Sequence, residues 1–595
     1  MQTVSESWKA IENQQLVNEA FVDIELDVTD PDAVEDATAS DNGAIYISDT
    51  ADVANGVDKQ AIPYATLEQN IWVLDGSNTF IPKNNYGEIG YISSELSNAY
   101  GIYTNTPVLT LSFSETHTKL LAGLTIVWGE AYGEYAESFV VTVSNNGSVV
   151  LQQRIDGNKS VRSIIDADIQ TYDEIQVEVI KWCLPYRRAR ILEFFIGINK
   201  IYTKSDLMSY EHEMEVSPIG ASLPTARVQF GLNNVNNEFD PNNQDGLAPY
   251  LITRQEIRVT YGLRLNDNTI ERIKAGTFYL SEWQAPQNGI EANFEARDLL
   301  EFLQKTYTKG QYYPNGISMY DLAEDVFDFA NLPLNHDGNP KYVLDDCLKD
   351  IYTVAPLPLV SLAICLQYIA QASCCVLYSD RQGTLHIEPI STTMTDYEIT
   401  DFVLYSRPEI SLQKPVSDVV VKVHNNFVDD VATDLFKGTL YVDGTKDVTI
   451  TYSEAADNVS TTVTNGTLNS ATYYANTCVL NITGTGDVDV LVSGYGLKTS
   501  DSDYVVNVSN EGEQQPVSNP LITSNEVASA VGTWVASWVG KRKTLSYDNW
   551  RADPRLDATD KIKSQNKFDM ENVRMTNVKY TFYGAFHGSG EGRVL

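Results

Sequence analysis

The chain has 595 residues, with 42 basic against 80 acidic side chains and a formal charge of −38. That balance excludes wrapping a nucleic acid as a ligand, which needs clustered lysine and arginine, and it excludes adhesion to an anionic membrane. At roughly 100–200 residues per domain the length predicts about three to five domains, and 43% hydrophobic with 21% charged residues predicts globular ones.

Thirty-four tyrosines against 19 phenylalanines, plentiful Asn, Thr, Val and Gly, and no long Ala/Leu/Glu/Lys tract point to a mainly β, multidomain protein. The N-terminal MQTVSESWKAIENQQ is polar and lacks the basic start and apolar stretch of a signal peptide. FVDIELDVTD (21–30) alternates as a half-buried strand does. An acidic, Asn/Gly-rich linker follows it. From about 62 to 198 come short strand candidates: LDGSNTFIP, PVLTLSFSE, LLAGLTIVWG, ESFVVTVSNNG, SVVLQQRI, DEIQVEVIKW and RILEFFIG. Turns such as Asn145-Asn146-Gly147 and Asp156-Gly157 separate them at the spacing of a β-sandwich.

From about 200 to 303 strands recur: YEHEMEV, TARVQFGL, QEIRVTYGL, AGTFYLSEWQ and IEANFEARD. Residues 317–332 and 359–372 have helical spacing, and 376–390 reads as a hairpin turning at Arg381-Gln382-Gly383. Together they predict a small α+β unit. LPLVSLAICLQYIAQASCCVLY is the most apolar stretch. Gln367 and Gln371 break it into pieces too short to span a bilayer, so no stable membrane insertion is expected. Residues 404–425 return to strands, 436–510 read as a Thr/Val-rich β meander, and a helix at 525–542 precedes final strands.

No catalytic constellation stands out. HEMEV (212–216) ends on Val216 where a zinc protease needs a second histidine. There is no nucleophile elbow, P-loop or dinucleotide fingerprint. The six cysteines, Cys183, Cys347, Cys365, Cys374, Cys375 and Cys478, show no zinc spacing and read as reduced core residues. NNEFDPNNQDG (236–246) departs from a calcium loop at Gln244 and Asp245, and reads as a turn. No enzyme activity, cofactor or metal is therefore expected.

One segment resists the charge balance. WCLPYRRAR places Trp182, Tyr186, Arg187, Arg188 and Arg190 in one loop before a strand. Aromatic faces with planar donors suit a glycan, which makes Trp182, Tyr186, Arg187 and Arg188 the candidate glycan-binding set. The same arginines are equally suited to brace the closing strand against acidic neighbours.

Two resemblances follow. ATLEQNIWVLDGS (65–77), PVLTLSFSETHTKLLAGLTIVWG (107–129) and YRRARILEFFIG (186–197) resemble the galactose-binding-like jelly rolls found inside phage tail proteins. Three further stretches resemble, in this order, the central baseplate hub proteins of phage tails and related contractile injection machines. They are ASLPTARVQFGLNNVNNEFDPNN (221–243) with ITRQEIRVTYGL and AGTFYLSEWQ, then LAICLQYIAQASCCVLYSDRQGTLHIEPI (362–390), then NPLITSNEVASAVGTWVASWV with NWRADPRLDATDKI (519–562).

The resemblance implies a homotrimeric hub of two barrel-like domains per chain that adapts a six-fold tail tube to a three-fold tip. It implies a first hub barrel at 1–40 and 199–303, split by a jelly roll at 41–198. An α+β domain is then expected at 304–400, a second barrel at 401–520 with the 436–510 meander inserted, and completing elements at 521–595. The implied partners are distal tail and tail tube proteins, the tape measure protein and a tip fibre or spike. The expected location is the virion tail tip, assembled in the host cytoplasm, with DNA only in transit past an acidic wall. Host-surface glycan recognition is the alternative role and a carbohydrate-active enzyme a third. No lysozyme or peptidase domain follows the hub, so no cell-wall-degrading role is expected.

Overall fold

Alternating apolar and acidic residues make Ala20–Thr29 a strand, with Val22, Ile24 and Leu26 turned inward. The computed structural model describes residues 1–14, 17–29, 31–55, 68, 89–118, 121–129, 132–243, 246–248, 251, 253–286, 289–330, 332 and 341–595. The strand candidate 74–82 and all of 65–77 except Glu68 lie outside those residues. The protein is mainly β and multidomain.

Its largest feature is one 13-stranded sheet. Seven strands come from the first part of the chain, in the order Gly197–Tyr202, Ala20–Thr29, Glu256–Arg264, Ile270–Gln284, Glu291–Arg297, Thr225–Asn233 and Leu207–Glu215. Six come from the last part: Met570–Phe582, Phe586–Val594, Lys543–Arg551 and Glu409–Leu412, with Lys561–Gln565 and Met394–Ile399 branching from the first of these. The two groups meet where Glu211–Glu215 pairs antiparallel with Asn577–Thr581. Their inward faces share one core, which includes Trp8, Tyr210, Tyr261, Phe294, Trp550 and Tyr580.

Arg381 fastens the junction. The predicted hairpin turn forms, and it drives this side chain against the 13-stranded sheet, where it is 4% exposed. Its Nε donates to Asp557 (2.6 Å), Nη1 to the carbonyl of Pro554 (2.7 Å) and Nη2 to that of Leu556 (2.9 Å). Beside it, His212 Nδ1 lies 2.7 Å from the Tyr261 hydroxyl, and burial pushes this imidazole down to about 3, so it is neutral.

The sandwich is a separate body with its own core. Five strands form one sheet: Thr38–Asp41, Val108–His117, Tyr172–Trp182, Ala136–Asn145 and Ser148–Asp156. Glu193–Phe195, Leu121–Val127 and Arg162–Ile169 form the facing sheet. Trp128 packs edge-on to Phe139 at 4.9 Å between the layers. The sandwich begins earlier than residue 41. Ala33, on helix Pro31–Asp36, lies in its core, and Thr38–Asp41 pairs with Leu109–Ser112.

The expected second barrel at 401–520 is divided. Glu409–Leu412 joins the 13-stranded sheet, but Val416–Thr451 and Thr477–Asn507 form a long antiparallel ribbon, with Glu513–Ser518 added parallel at its base. At the ribbon's base Val419, Val421 and Val423 pack on helices Met319–Ala330, Leu362–Ala372 and Asn525–Val539 rather than on the hub core. The 436–510 meander is thus continuous with this ribbon: residues 436–492 make its far half, and 493–507 return along 418–434 at its base. It curls around Leu435, Val442, Ile450, Leu480 and Val490. It docks back on the α+β unit, where Thr477 Oγ1 donates to the Thr308 carbonyl (2.6 Å) and the Ala475 amide to that of Gly310 (2.8 Å).

Asp298 links hub to helices. Its backbone N–H donates to Ala226 (3.0 Å), and its Oδ1 caps the turn Leu299–Gln304 by accepting from the Leu300 amide (3.1 Å). Burial pushes its carboxyl up to about 7, and the Leu300 N–H opposes this only in part. The unfolded carboxyl titrates near ~3.9, so the native state holds its proton longer and stability must fall as pH rises from about 4 to about 7. Asp298→Asn keeps the cap. It is expected to flatten that decline and to gain roughly 2–4 kcal/mol over the parent above pH ~7, read by denaturant unfolding across pH.

Candidate functional site at the closing loop of the sandwich

Strand Tyr172–Trp182 turns Ile175, Val177 and Val179 inward. Strict alternation would put Trp182 outside. A bulge where Lys181 pairs with Ser138 resets the phase, and Trp182 points into the core with 0% exposure. Its indole Nε1 donates to Glu134 Oε2 (2.8 Å). Its backbone N–H donates to the carbonyl of Gly101, whose φ of +78° and close approach leave no room for a Cβ, which would sit 2.4 Å from the Trp182 oxygen.

The loop then reverses at Tyr186, which adopts a left-handed φ of 58°. That turn sends Arg187 inward. Its Nε donates to Glu134 Oε1 (2.8 Å), so one buried carboxylate holds both the tryptophan and the arginine. Arg190 pairs with buried Glu68, lies 3.6 Å from Glu134 and covers the Tyr132 ring at 5.1 Å. Arg188 is half-buried. Its amide donates to Glu68 Oε1 (2.6 Å), and its guanidinium donates to the carbonyls of Ser93 (3.1 Å) and Ser94.

Arg187 and Arg190 against Glu134 and Glu68 make a neutral buried set. Charges at this depth are tolerated because each is matched and hydrogen-bonded. The neighbouring Tyr103 phenol is held well above its ordinary value, first by burial. The arrangement clamps the loop.

Of the four candidate contact residues, the structure therefore turns Trp182 and Arg187 inward, uses Arg188 to bridge backbone carbonyls, and leaves Tyr186 outside at 46% exposure. Sequence reading missed its neighbours. Residues 96–102 lie against 181–187 through the Ile102–Lys181 bridge and the Ser97 Oγ bond to the Leu184 carbonyl. Leu96, Tyr100 (78% exposed), Ile102, Leu184 and Tyr186 thus form an apolar, aromatic rim around the clamp.

Other candidate chemistry is accounted for locally. Among the described residues no group of three or more His, Cys, Asp or Glu is arranged to hold a metal. In the 236–246 loop Asp240 Oδ1 accepts from the Asn242 amide (2.8 Å), as a turn-capping aspartate does, while Gln244 and Asp245 lie outside the described residues. A cavity of about 510 Å³ opens beside the hub junction. Of the charged groups lining it, Arg381 pairs with Asp557 and Lys9 with Asp396.

No family model and no curated relative matches the chain. Among solved structures it is similar to a tail protein from Neisseria meningitidis MC58, at 9% identity over 67% of this chain and 93% of that one, with a TM-score of 0.38. The 43 kDa tail protein of prophage MuSo2 from Shewanella oneidensis gives 11% identity, 67% and 95% coverage and a TM-score of 0.37. Prophage tail protein gp18 from Listeria monocytogenes EGD-e gives 8%, 67%, 91% and 0.36. Overlap at these scores bears on neither fold nor role.

The clamp predicts a sharp contrast. Glu134→Ala strands two buried donors and is expected to cost roughly 3–5 kcal/mol. Tyr186→Ala should stay within about 1 kcal/mol of the parent, because only surface is lost and a left-handed residue is replaced by another non-glycine. Calorimetric melting of the full chain reads both.

Proposed function

We propose that this chain is the structural hub of a phage tail tip or baseplate, acting as a homotrimer that joins a six-fold tail tube to a three-fold tip. The reading rests on one observation: each chain carries two β modules, of seven and six strands, fused side by side in one sheet. Three such chains present six comparable modules to a six-fold neighbour while keeping three-fold symmetry. The order of hub-like motifs in the sequence supports the same reading. The role is structural, not catalytic. Its partners are tail tube and distal tail proteins, a tape measure protein and a tip fibre or spike, with DNA passing through a channel whose acidic wall does not retain it. The location is the virion tail tip, after assembly in the host cytoplasm. Light scattering on the purified chain is expected to give three times 66.2 kDa, and cryo-EM of tails should place it at the tube's end. A stable monomer absent from tails would sink the proposal.

The inserted sandwich is read as a galactose-binding-like accessory domain. A second role, recognition of a host-surface glycan, is favoured by the exposed rim of Tyr100 and Tyr186, since aromatic faces stack on sugar rings. With Trp182 and Arg187 inside, the contact falls to Tyr186, Arg188 and Tyr100. On a glycan array the full chain should bind, and Tyr100→Ala with Tyr186→Ala should lose about tenfold or more in affinity. A signal unchanged in that variant removes the rim from the reading.

A further inference from the structure

Cations are scarce in this chain, and many are paired: Arg381 with Asp557, Arg227 with Glu213, Lys543 with Glu571, Lys563 with Glu398. Five at one end of the second β module are not. Lys561 stands directly opposite Arg574, and Arg574 directly opposite Arg593, on three adjacent strands. Register partners share a face, so the three form one basic row, with Arg574 buried at its centre and Lys561 and Arg593 half-buried on either side. Lys541 and Arg542 follow the end of helix Asn525–Val539 beside it. Like charges in direct opposition destabilise a sheet.

The guanidinium groups of the row rest on neutral partners. Arg574 Nη1 donates to the Thr559 carbonyl (2.8 Å), Arg593 Nη1 to that of Trp538 (3.3 Å) and Arg542 Nε to that of Gln413 (2.8 Å). Among the described residues no carboxylate forms an ion pair with any of the five. Glu571 is engaged by Lys543 (2.6 Å); Asp560, paired with the Met1 ammonium (2.7 Å), reaches Arg574 and Glu591 reaches Arg593 only through their fields. Burial, then Arg574 and Lys561, hold the Lys541 ammonium below its ordinary value. In a chain with 80 acids, no carboxylate closes directly on this row among the described residues.

The complementary surface lies on the ribbon. Along one exposed face Asp489 stands opposite Thr439, Asp487 opposite Tyr441, Asp443 opposite Thr485 and Asp447 opposite Asn481. Among the described residues no ion pair engages these carboxylates; Thr439 Oγ1 reaches Asp489 (2.6 Å) and Asn481 Nδ2 reaches Asp447 (2.6 Å). The ribbon's tip is docked on Thr308 and Gly310 of its own chain, and among the described residues no ion pair joins it to the basic row.

We propose that the accessible cations of this cluster, Lys541, Arg542, Lys561 and Arg593, are the docking surface for the carboxylate face of the ribbon of a second copy of this chain, with buried Arg574 adding its field from beneath. The row spans three strands, about 10 Å, and meets only a few charges, whereas nucleic acid binding draws on roughly 6–10 phosphates. A short acidic ribbon fits that reach, and the surrounding acidic surface repels a long polyanion. Two different patches in contact make a head-to-tail interface, which closes into a ring when the rotation allows. The inference rests on the homotrimeric hub reading and names the contact that holds it.

The test uses the full chain, followed by light scattering and sedimentation from low to high salt. Lys541→Glu with Lys561→Glu should weaken association about tenfold and abolish its salt dependence. Asp443→Lys with Asp487→Lys should do the same, and the four changes together should restore it. Far-UV circular dichroism and melting qualify each variant as folded, and Lys541→Gln with Lys561→Gln replaces the reversal if that does not fold. A trimer indifferent to both pairs of substitutions overturns the inference and leaves the hub reading standing. So does binding of duplex DNA that is lost in the Lys541/Lys561 variant while the trimer persists. A wild-type monomer at every salt concentration overturns the hub reading and this contact together.

Discussion

The antiparallel pairing of Glu211–Glu215 with Asn577–Thr581 is the contact on which the architecture depends. It joins strands from opposite ends of the chain and turns two β modules into one sheet. Each module alone would expose an edge at this point, with the aggregation liability that edges carry. Paired, they share a single core in which Tyr210, Tyr261, His212 and Tyr580 meet. The loop-closure entropy of so long a connection grows only slowly with length, so its separation in sequence is a modest thermodynamic penalty and a larger kinetic one. Arg381 then fixes the angle between the hub and the α+β unit, because its planar fork reaches a carboxylate and two carbonyls at once.

The sandwich uses the same device for a different end. There the fork of Arg187 and the indole of Trp182 converge on Glu134, and Arg190 adds Glu68. In both places an acidic protein spends its few arginines inside, where an unmatched carboxylate would be most costly. The outer surface is left negative. The exception is the cluster around Arg574, itself buried, where Lys541 and Arg542 stand exposed and Lys561 and Arg593 half-buried with no carboxylate closing on them among the described residues.

Much of the fold was legible in the sequence. The alternation in FVDIEL, the helical spacing of 317–332 and 359–372, and the turn at Arg381-Gln382-Gly383 each formed. Local rules governed them. The divisions between domains were less legible. Val419, Val421 and Val423 alternate as hub strand residues would, and nothing local says that they pack on helices instead. Thr38–Asp41 reads as linker because its partner is some seventy residues away, as the Ser40 bond to Thr110 shows. The candidate site suffered most. A bulge at Lys181 and one left-handed residue, Tyr186, decide which side chains face out, and neither has a signature in the residue types. The partners of the arginines were hidden among 80 acids. The aromatic rim was invisible because Tyr100 and Tyr186 are brought together only by the sandwich.

The sandwich leaves the hub after Thr29 and returns at Gly197, and these two residues face each other across a strand pair. The hub therefore perceives the whole domain as it would a short hairpin turn between two neighbouring strands. A cargo carried on such a doorstep can be exchanged for another, enlarged or dropped without altering a single rung of the ladder beneath it. Whatever surface the protein must present to a changing environment can be refitted at this one position, while the 13-stranded sheet keeps its sequence constraints to itself.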